Sequence, residues 1–278
     1  MPELPEVEAW RATMERWLVG RSIAAVHLVD SAVIRPKLST RPSDGWDQAQ
    51  SWASSLVGSS VKGTARVGKR MGLQLGEGWV LVHLGMTGRF VRDPEPPRFA
   101  RIGLDVGDHV VWFADQRRFG CLVPLQGRDA LCVGLGPDAL DAALDGEGLA
   151  AALPGRRAVK TALLDQARIA GLGNIHAAEA LWRAGIAPAT PCATLDALGW
   201  RSLAAAIREQ LAEAVEAIPP GEDFVYVTEG GDNPFAVYGR EGEPCPRCAE
   251  AITRVVQGGR STFWCPGCQR PGGVAVQG

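Results

Sequence analysis

The chain has 278 residues, 46% of them hydrophobic and 22% charged, with a formal net charge of −2. That is ordinary globular composition and excludes whole-chain disorder. No stretch approaches the roughly 18 uncharged apolar residues of a membrane-spanning helix. The start, MPELPEVEAW, lacks the pattern of a secretory leader, so a cytoplasmic location is expected. The net charge alone argues against a polyanion partner. Its distribution argues the other way: residues 66–128 carry ten Lys or Arg against six Asp or Glu, whereas residues 129–150 carry five acids and no base.

In chain order, residues 5–19 place Val7, Trp10, Met14, Trp17 and Leu18 near a 3.6-residue period, which predicts an amphipathic helix stopped by Gly20. From 23 to about 125, short runs such as IAAVHLV, WVLVHLGM and HVVWFA alternate with Gly, Pro and Asp turns, predicting a sandwich or barrel. DPEPP at 93–97 is a loop between two strands. Residues 133–155, which end in LPG ahead of Arg156 and Arg157, read as a crossing between domains. Helical spacing then fills 157–217, broken by AGLGN at 170–174 and AGIAPATP at 184–191, so helix, glycine turn, helix, loop, helix is expected. Residues 222–235 read as a loop, and from 236 onward the chain is a small cysteine-stapled unit.

That last unit contains CPRC at 245–248 and CPGC at 265–268, sixteen residues apart. Four thiolates on two tight turns suit a tetrahedral zinc ribbon, so Cys245, Cys248, Cys265 and Cys268 are expected to bind one Zn²⁺. A closed set of four leaves no position for substrate, so this zinc is structural. The stretch between the pairs predicts a hairpin around Gly258-Gly259 that displays Arg260. Cys121, Cys132 and Cys192 read as small apolar residues without a role.

At the other end stands Pro2-Glu3-Leu4-Pro5-Glu6. Once Met1 is removed, Pro2 is a terminal secondary amine. The reference pKa of an α-amine is about 8, against about 10.4 for lysine. Such an amine can attack a carbonyl-like carbon and form an imine. Glu3 could move protons beside it, and Glu6 lies in the first turn of the helix, where a carboxylate is favoured. The same residues also read as an ordinary helix start with stabilising acids.

PELPEVE at 2–8, GKR at 68–70, HLGMTG at 83–88, RRFG at 117–120, IAGLGNIHAAEALWRAGI at 169–186 and VYGREGEPCPRC at 237–248 together resemble the formamidopyrimidine-DNA glycosylase and endonuclease VIII family. The match runs from residue 2 to about 270, and the start is closer to the formamidopyrimidine branch. The resemblance implies a multidomain α+β fold: an N-terminal helix on a β-sandwich (2–132), a linker (133–155), a helix-two-turn-helix domain (156–235) and a zinc-ribbon hairpin (236–271). It implies a monomer acting on double-stranded DNA in the nucleoid, with the duplex between two lobes.

The implied reaction is removal of an oxidised base, 8-oxoguanine or a formamidopyrimidine in the first place, through a Pro2 imine followed by β- and δ-elimination. Pro2 is then the nucleophile, Glu3 the donor to the sugar ring oxygen, Glu6 a supporting group and Lys69 a phosphate contact that assists elimination. His83, Asn174 and Arg260 are further phosphate contacts, Arg260 at the catalytic centre. Met86, Arg117 and Phe119 are the side chains inserted where the nucleotide leaves the stack. Three departures stand out: His176 where Tyr is usual, Gln116 where Pro is common, and a short loop at 225–236. The loop leaves open a preference for oxidised pyrimidines or abasic sites. A catalytically silent DNA-binding module and an RNA-binding zinc-ribbon protein are the other readings.

Overall fold

The computed structural model of the protein describes residues 2–220 and 233–270. They divide into two compact units, the first holding residues 2–133 and 218–220, the second 134–217 and 233–270. Among the described residues, no helix is long and apolar enough to cross a membrane.

The first unit opens with α1 (Leu4–Leu18), which starts and ends one residue earlier than the periodicity suggests. Its apolar stripe, Val7, Trp10, Met14 and Leu18, is buried. Gly20 follows the helix at φ +85°, a left-handed conformation that costs glycine little. Eight strands follow: β1 (Ala25–Leu28), β2 (Val61–Val67), β3 (Arg70–Leu75), β4 (Gly78–His83), β5 (Arg89–Arg92), β6 (Ala100–Asp105), β7 (Val110–Ala114) and β8 (Cys121–Leu125). They form two antiparallel sheets in the orders β1-β6-β7-β5 and β2-β3-β4-β8, the expected sandwich.

Period-two alternation decides which side chains meet. Met71, Leu73 and Leu75 of β3 and Val80 and Val82 of β4 join Phe90, Ile102 and Phe113 in the main core, which Trp10 and Met14 of α1 also enter. Burying one such side chain contributes roughly 1.5–3 kcal/mol. Leu81 points the other way, into a second cluster with Ala65, Val123, Leu131 and Cys121. Cys121 thus acts as a small apolar residue, and burial pushes its thiol pKa up. One helix in this region was not foreseen, α2 (Ala49–Ser55). Ala49 and Ala53, one turn apart, are the residues it buries in the core.

The second unit holds α3 (Gly146–Ala152), α4 (Val159–Leu163), α5 (Asn174–Arg183), α6 (Ala197–Glu216) and a hairpin of β9 (Thr253–Gln257) and β10 (Arg260–Trp264). The three later helices match the expected helix-turn-helix-loop-helix pattern. α3 lies inside the segment read as a linker. Asp145 caps it, accepting from the amides of Glu147 and Gly148 at 3.0 and 2.9 Å, and it packs on α6. Most of the 225–236 loop lies outside the described residues.

Candidate active site and nucleic-acid interface

Pro2 and Glu3 are both buried at the start of α1, Glu3 with 1% of its surface exposed. The local cause is a reciprocal capping box between Glu3 and Glu6. In it Glu6 Oε2 accepts from the Glu3 amide at 2.8 Å. Glu6 therefore fixes the backbone from which Glu3 projects. One turn on, the Glu8 carboxylate binds Arg11 and accepts from Arg66 Nε at 3.0 Å. Arg66 also donates to the Gly68 carbonyl at 3.1 Å. This ties α1 to the β2–β3 turn, where half-buried Lys69 follows Gly68 at φ +57°.

His83 ends β4, half-buried, and its Nδ1 has no hydrogen-bond partner among the described residues. Burial pushes its pKa down to about 4, helped by Arg70, Arg35 and Lys69 nearby. At neutral pH His83 is uncharged, so it can serve a phosphate as an N–H donor but not as an ion-pair partner.

Met86 is not in a strand. It lies half-buried in the turn between β4 and β5. Arg117 and Phe119 lie in the loop between β7 and β8, the guanidinium 4.9 Å from the Phe119 ring centre. The neighbouring arginines differ sharply. Arg118 is paired with Asp30 at 3.0 Å, and its carbonyl accepts from the buried Arg35 guanidinium at 3.0 Å. Its backbone has φ +59°, which a residue with a Cβ rarely adopts. Arg117 is exposed and makes no ion pair among the described residues, its ring contact aside.

In the second unit Asn174 begins α5, directly after the glycine turn that exposes the first amides of the helix. Its side chain is held at both ends: Oδ1 accepts from Lys160 Nζ at 2.5 Å and Nδ2 donates to the Ser261 carbonyl at 2.8 Å. Arg260 precedes Ser261 and is exposed at the start of β10. Lys160 is fully buried, which its place in an Ala-rich stretch does not announce. Another unforeseen group is Glu179 on α5, 3% exposed, whose oxygens accept the amides of Ala236, Val237 and Tyr238 at 2.8 to 3.0 Å. His176 is buried one turn earlier, beside Gln210 Nε2 and edge-on to Phe235.

The hairpin turns through Gly258 and Gly259 at φ +57° and +72°, the mirror-image turn that matches strand twist. The sulfurs of Cys245, Cys248, Cys265 and Cys268 all lie within 4.8 Å of one another. Four ligands at about 2.3 Å in a tetrahedron stand about 3.8 Å apart, and Cys245–Cys268 and Cys248–Cys265 measure 3.8 and 3.4 Å. Burial and the adjoining sulfurs push Cys265 up to about 11 and Cys268 higher. A divalent cation reverses that by stabilising all four thiolates. Amides also point at the sulfurs, Arg247 N at Cys245 and Cys268 N at Cys265, both at 3.4 Å. The donor set fits one structural zinc.

A sandwich entered by an N-terminal helix, a helical unit with a glycine turn and a four-cysteine hairpin define a three-part architecture of the DNA glycosylase type. Family sequence models match it in three blocks: the formamidopyrimidine-DNA glycosylase N-terminal domain at 1–122, the H2TH domain of the same enzymes at 135–221, and the zinc finger found in FPG and IleRS at 242–271. A formamidopyrimidine-DNA glycosylase from Cereibacter sphaeroides is 41% identical over 97% of this chain and all of its own. The crystal structure of the MutM (Fpg) protein of Thermus thermophilus covers 98% of the chain and all of its own, with a TM-score of 0.79 and 34% identity. A Lactococcus lactis Fpg bound to abasic-site DNA covers 97% and all of its own, at 0.82 and 26%. The chain belongs to the formamidopyrimidine-DNA glycosylase family.

Proposed function

We propose that this chain is a bifunctional DNA glycosylase and abasic-site lyase of base excision repair, acting on oxidised purines in double-stranded DNA. The observation that carries the reading is the buried Pro2-Glu3 pair on a capped helix. With Met1 removed, the Pro2 nitrogen attacks the anomeric carbon of the damaged nucleotide, the C–N bond to the base breaks, and the sugar ring opens to an imine. Glu3 supplies the proton to the ring oxygen, and Glu6 keeps Glu3 in place. Loss of the 3′ and then the 5′ phosphate follows by β- and δ-elimination, and hydrolysis of the imine returns the amine.

Lys69, His83, Asn174 and Arg260 hold phosphates, His83 as a neutral donor. Donors of this kind position the duplex without reading sequence. Met86, Arg117 and Phe119 fill the space left by the extruded nucleotide. Arg117 takes that role because Arg118 is already committed to Asp30. The relatives' structures with carbocyclic 8-oxoguanine and Fapy-dG in their DNA support the choice of oxidised purines.

The test is borohydride trapping on duplexes holding 8-oxoguanine opposite cytosine, an oxidised pyrimidine or an abasic site, after mass spectrometry has shown that Met1 is gone. A covalent adduct on the 8-oxoguanine duplex is expected. An adduct only on the other two would keep the Pro2 chemistry and move the lesion. Binding without any adduct would overturn the enzymatic reading.

A further inference from the structure

We propose that the Met86 turn and the Arg117–Phe119 loop form one wedge assembled before DNA arrives, and that Thr87 and Asp115 are the positioning residues that hold its two halves in register. The inference rests on the reading of Met86, Arg117 and Phe119 as the inserted group.

Topology brings the halves together. The 84–88 turn leaves one sheet for the other by joining β4 to β5, and the 115–120 loop returns by joining β7 to β8. β4 pairs with β8 through His83 and Cys121, and β5 pairs with β7 through Arg89 and Ala114. Both ends of the two connections therefore lie side by side. The contact is backbone on backbone. Gly85 sits at φ +64°, and a Cβ there would come within 2.5 Å of Gly120 N and 2.7 Å of the Phe119 carbonyl carbon. At Gly120 a Cβ would meet the Phe113 ring at 2.6 Å and the His83 oxygen at 3.0 Å.

Asp115 closes the assembly. It is 1% exposed, and its carboxylate binds both halves. Oδ2 accepts from the Gly120 amide at 2.7 Å. Oδ1 accepts from the Thr87 hydroxyl and from the Arg117 amide, the latter at 3.2 Å. The Thr87 oxygen takes a second contact from the same Arg117 amide at 3.2 Å. The Asp115 carbonyl in turn accepts from Arg101 Nε and Nη2 at 3.0 and 2.9 Å. A buried carboxylate with this many donors has one geometry available to it. Thr87 is the side chain of the Met86 turn through which that carboxylate grips the other half. A wedge already in shape spends less of its insertion on ordering itself.

The test separates the lock from the wedge. Thr87→Val keeps the shape and removes the hydroxyl; Thr87→Ser keeps the hydroxyl. A duplex with 8-oxoguanine opposite cytosine and 2-aminopurine beside it reports extrusion by stopped-flow fluorescence. A second duplex with a preformed abasic site reports strand cleavage, which needs no base extruded. Thr87→Val is expected to slow extrusion about tenfold, or about 1.4 kcal/mol of barrier, while abasic cleavage stays within twofold. Thr87→Ser is expected to restore extrusion, and Asp115→Asn to slow it further than Thr87→Val.

Preassembly itself is read without DNA. Amide exchange across 115–120 in the free protein is expected to be slow in the wild type and in Thr87→Ser, and faster in Thr87→Val. Fast exchange in the wild type, unchanged extrusion in Thr87→Val, or equal loss of extrusion and abasic cleavage would each overturn the proposal. Met86→Ala and Arg117→Ala distinguish its failure from that of the wedge reading. If they slow extrusion and Thr87→Val does not, the lock alone fails; if they too leave it unchanged, the wedge reading falls.

Discussion

The two units present an arginine on a turn by opposite means. Arg117 stands on a loop whose backbone is gripped by buried charges, at the rim of a sandwich with a continuous apolar core. Arg260 stands on a hairpin of two five-residue strands, with Arg254, Val255 and Val256 all exposed. An isolated two-stranded hairpin is marginal in water. This one is fixed at its base by cysteines that pack with Val237, Ile252 and Ala178. The shape of the first turn follows from the fold, whereas the second is expected to depend on the metal. On the proposed function, the chemistry and the insertion fall to the first, and grip on the backbone is shared with the second.

That contrast can be broken at several strengths. The largest effect is expected from an extension in front of Pro2, which makes its nitrogen an amide: borohydride trapping falls to background while duplex affinity holds within twofold. An extended protein that traps at full rate would remove Pro2 from its role. Next, Cys245→Ser or chelation of zinc should weaken duplex binding by roughly 10- to 100-fold, the worth of one or two charge-assisted contacts. Calorimetry should show the sandwich transition unmoved; affinity that survives loss of zinc would refute the conditional hairpin. Trp10→Ala should do the reverse, costing the first unit about 3–5 kcal/mol in urea unfolding, with the hairpin's zinc retained.

A subtler effect concerns His83. Its folded pKa, about 4, lies below the ordinary 6.5, so between those values the unfolded chain binds more protons than the folded one. Stability is fully present above pH 6.5 and is lost as pH falls towards 4, by up to about 3 kcal/mol. The pH dependence of unfolding should be flatter in that window for His83→Gln; an unchanged slope would contradict the pKa. The smallest effect is Arg260→Ala, which should reduce the log–log salt dependence of binding by about one unit. A similar loss in Arg117→Ala would blur the division between grip and insertion.

Much of the architecture is legible in the sequence because it is periodic or punctuated. The Trp10-Met14-Leu18 spacing marks α1, and the paired CxxC motifs mark the zinc site. What stays hidden has no local signature. AQSWASS offers one large apolar residue, and Gln48 makes no side-chain cap, so α2 exists only through its packing. For α3 a signal was present in Asp145 before GEG, but glycine and alanine masked it. Asp115 and Thr87 are the sharpest case. A lone Asp just ahead of two arginines reads as a turn residue, and its partner lies 28 positions away. Lys160 is equally silent, since nothing beside it in the chain distinguishes a buried lysine from a solvated one.

Gln116 shows what the buried carboxylate makes possible. It is exposed and lies between Asp115 and Arg117, at the position where the sequence resemblance implies proline. A proline stiffens a loop by restricting its own torsion; here the rigidity comes from the neighbours' amides bound to an anion. The loop's shape thus rests on hydrogen bonds to Asp115 rather than on the side chain at position 116. That position is also where a reporter dye could be attached, next to Arg117, the side chain proposed to insert, yet outside the hydrogen bonds to Asp115 that shape the loop.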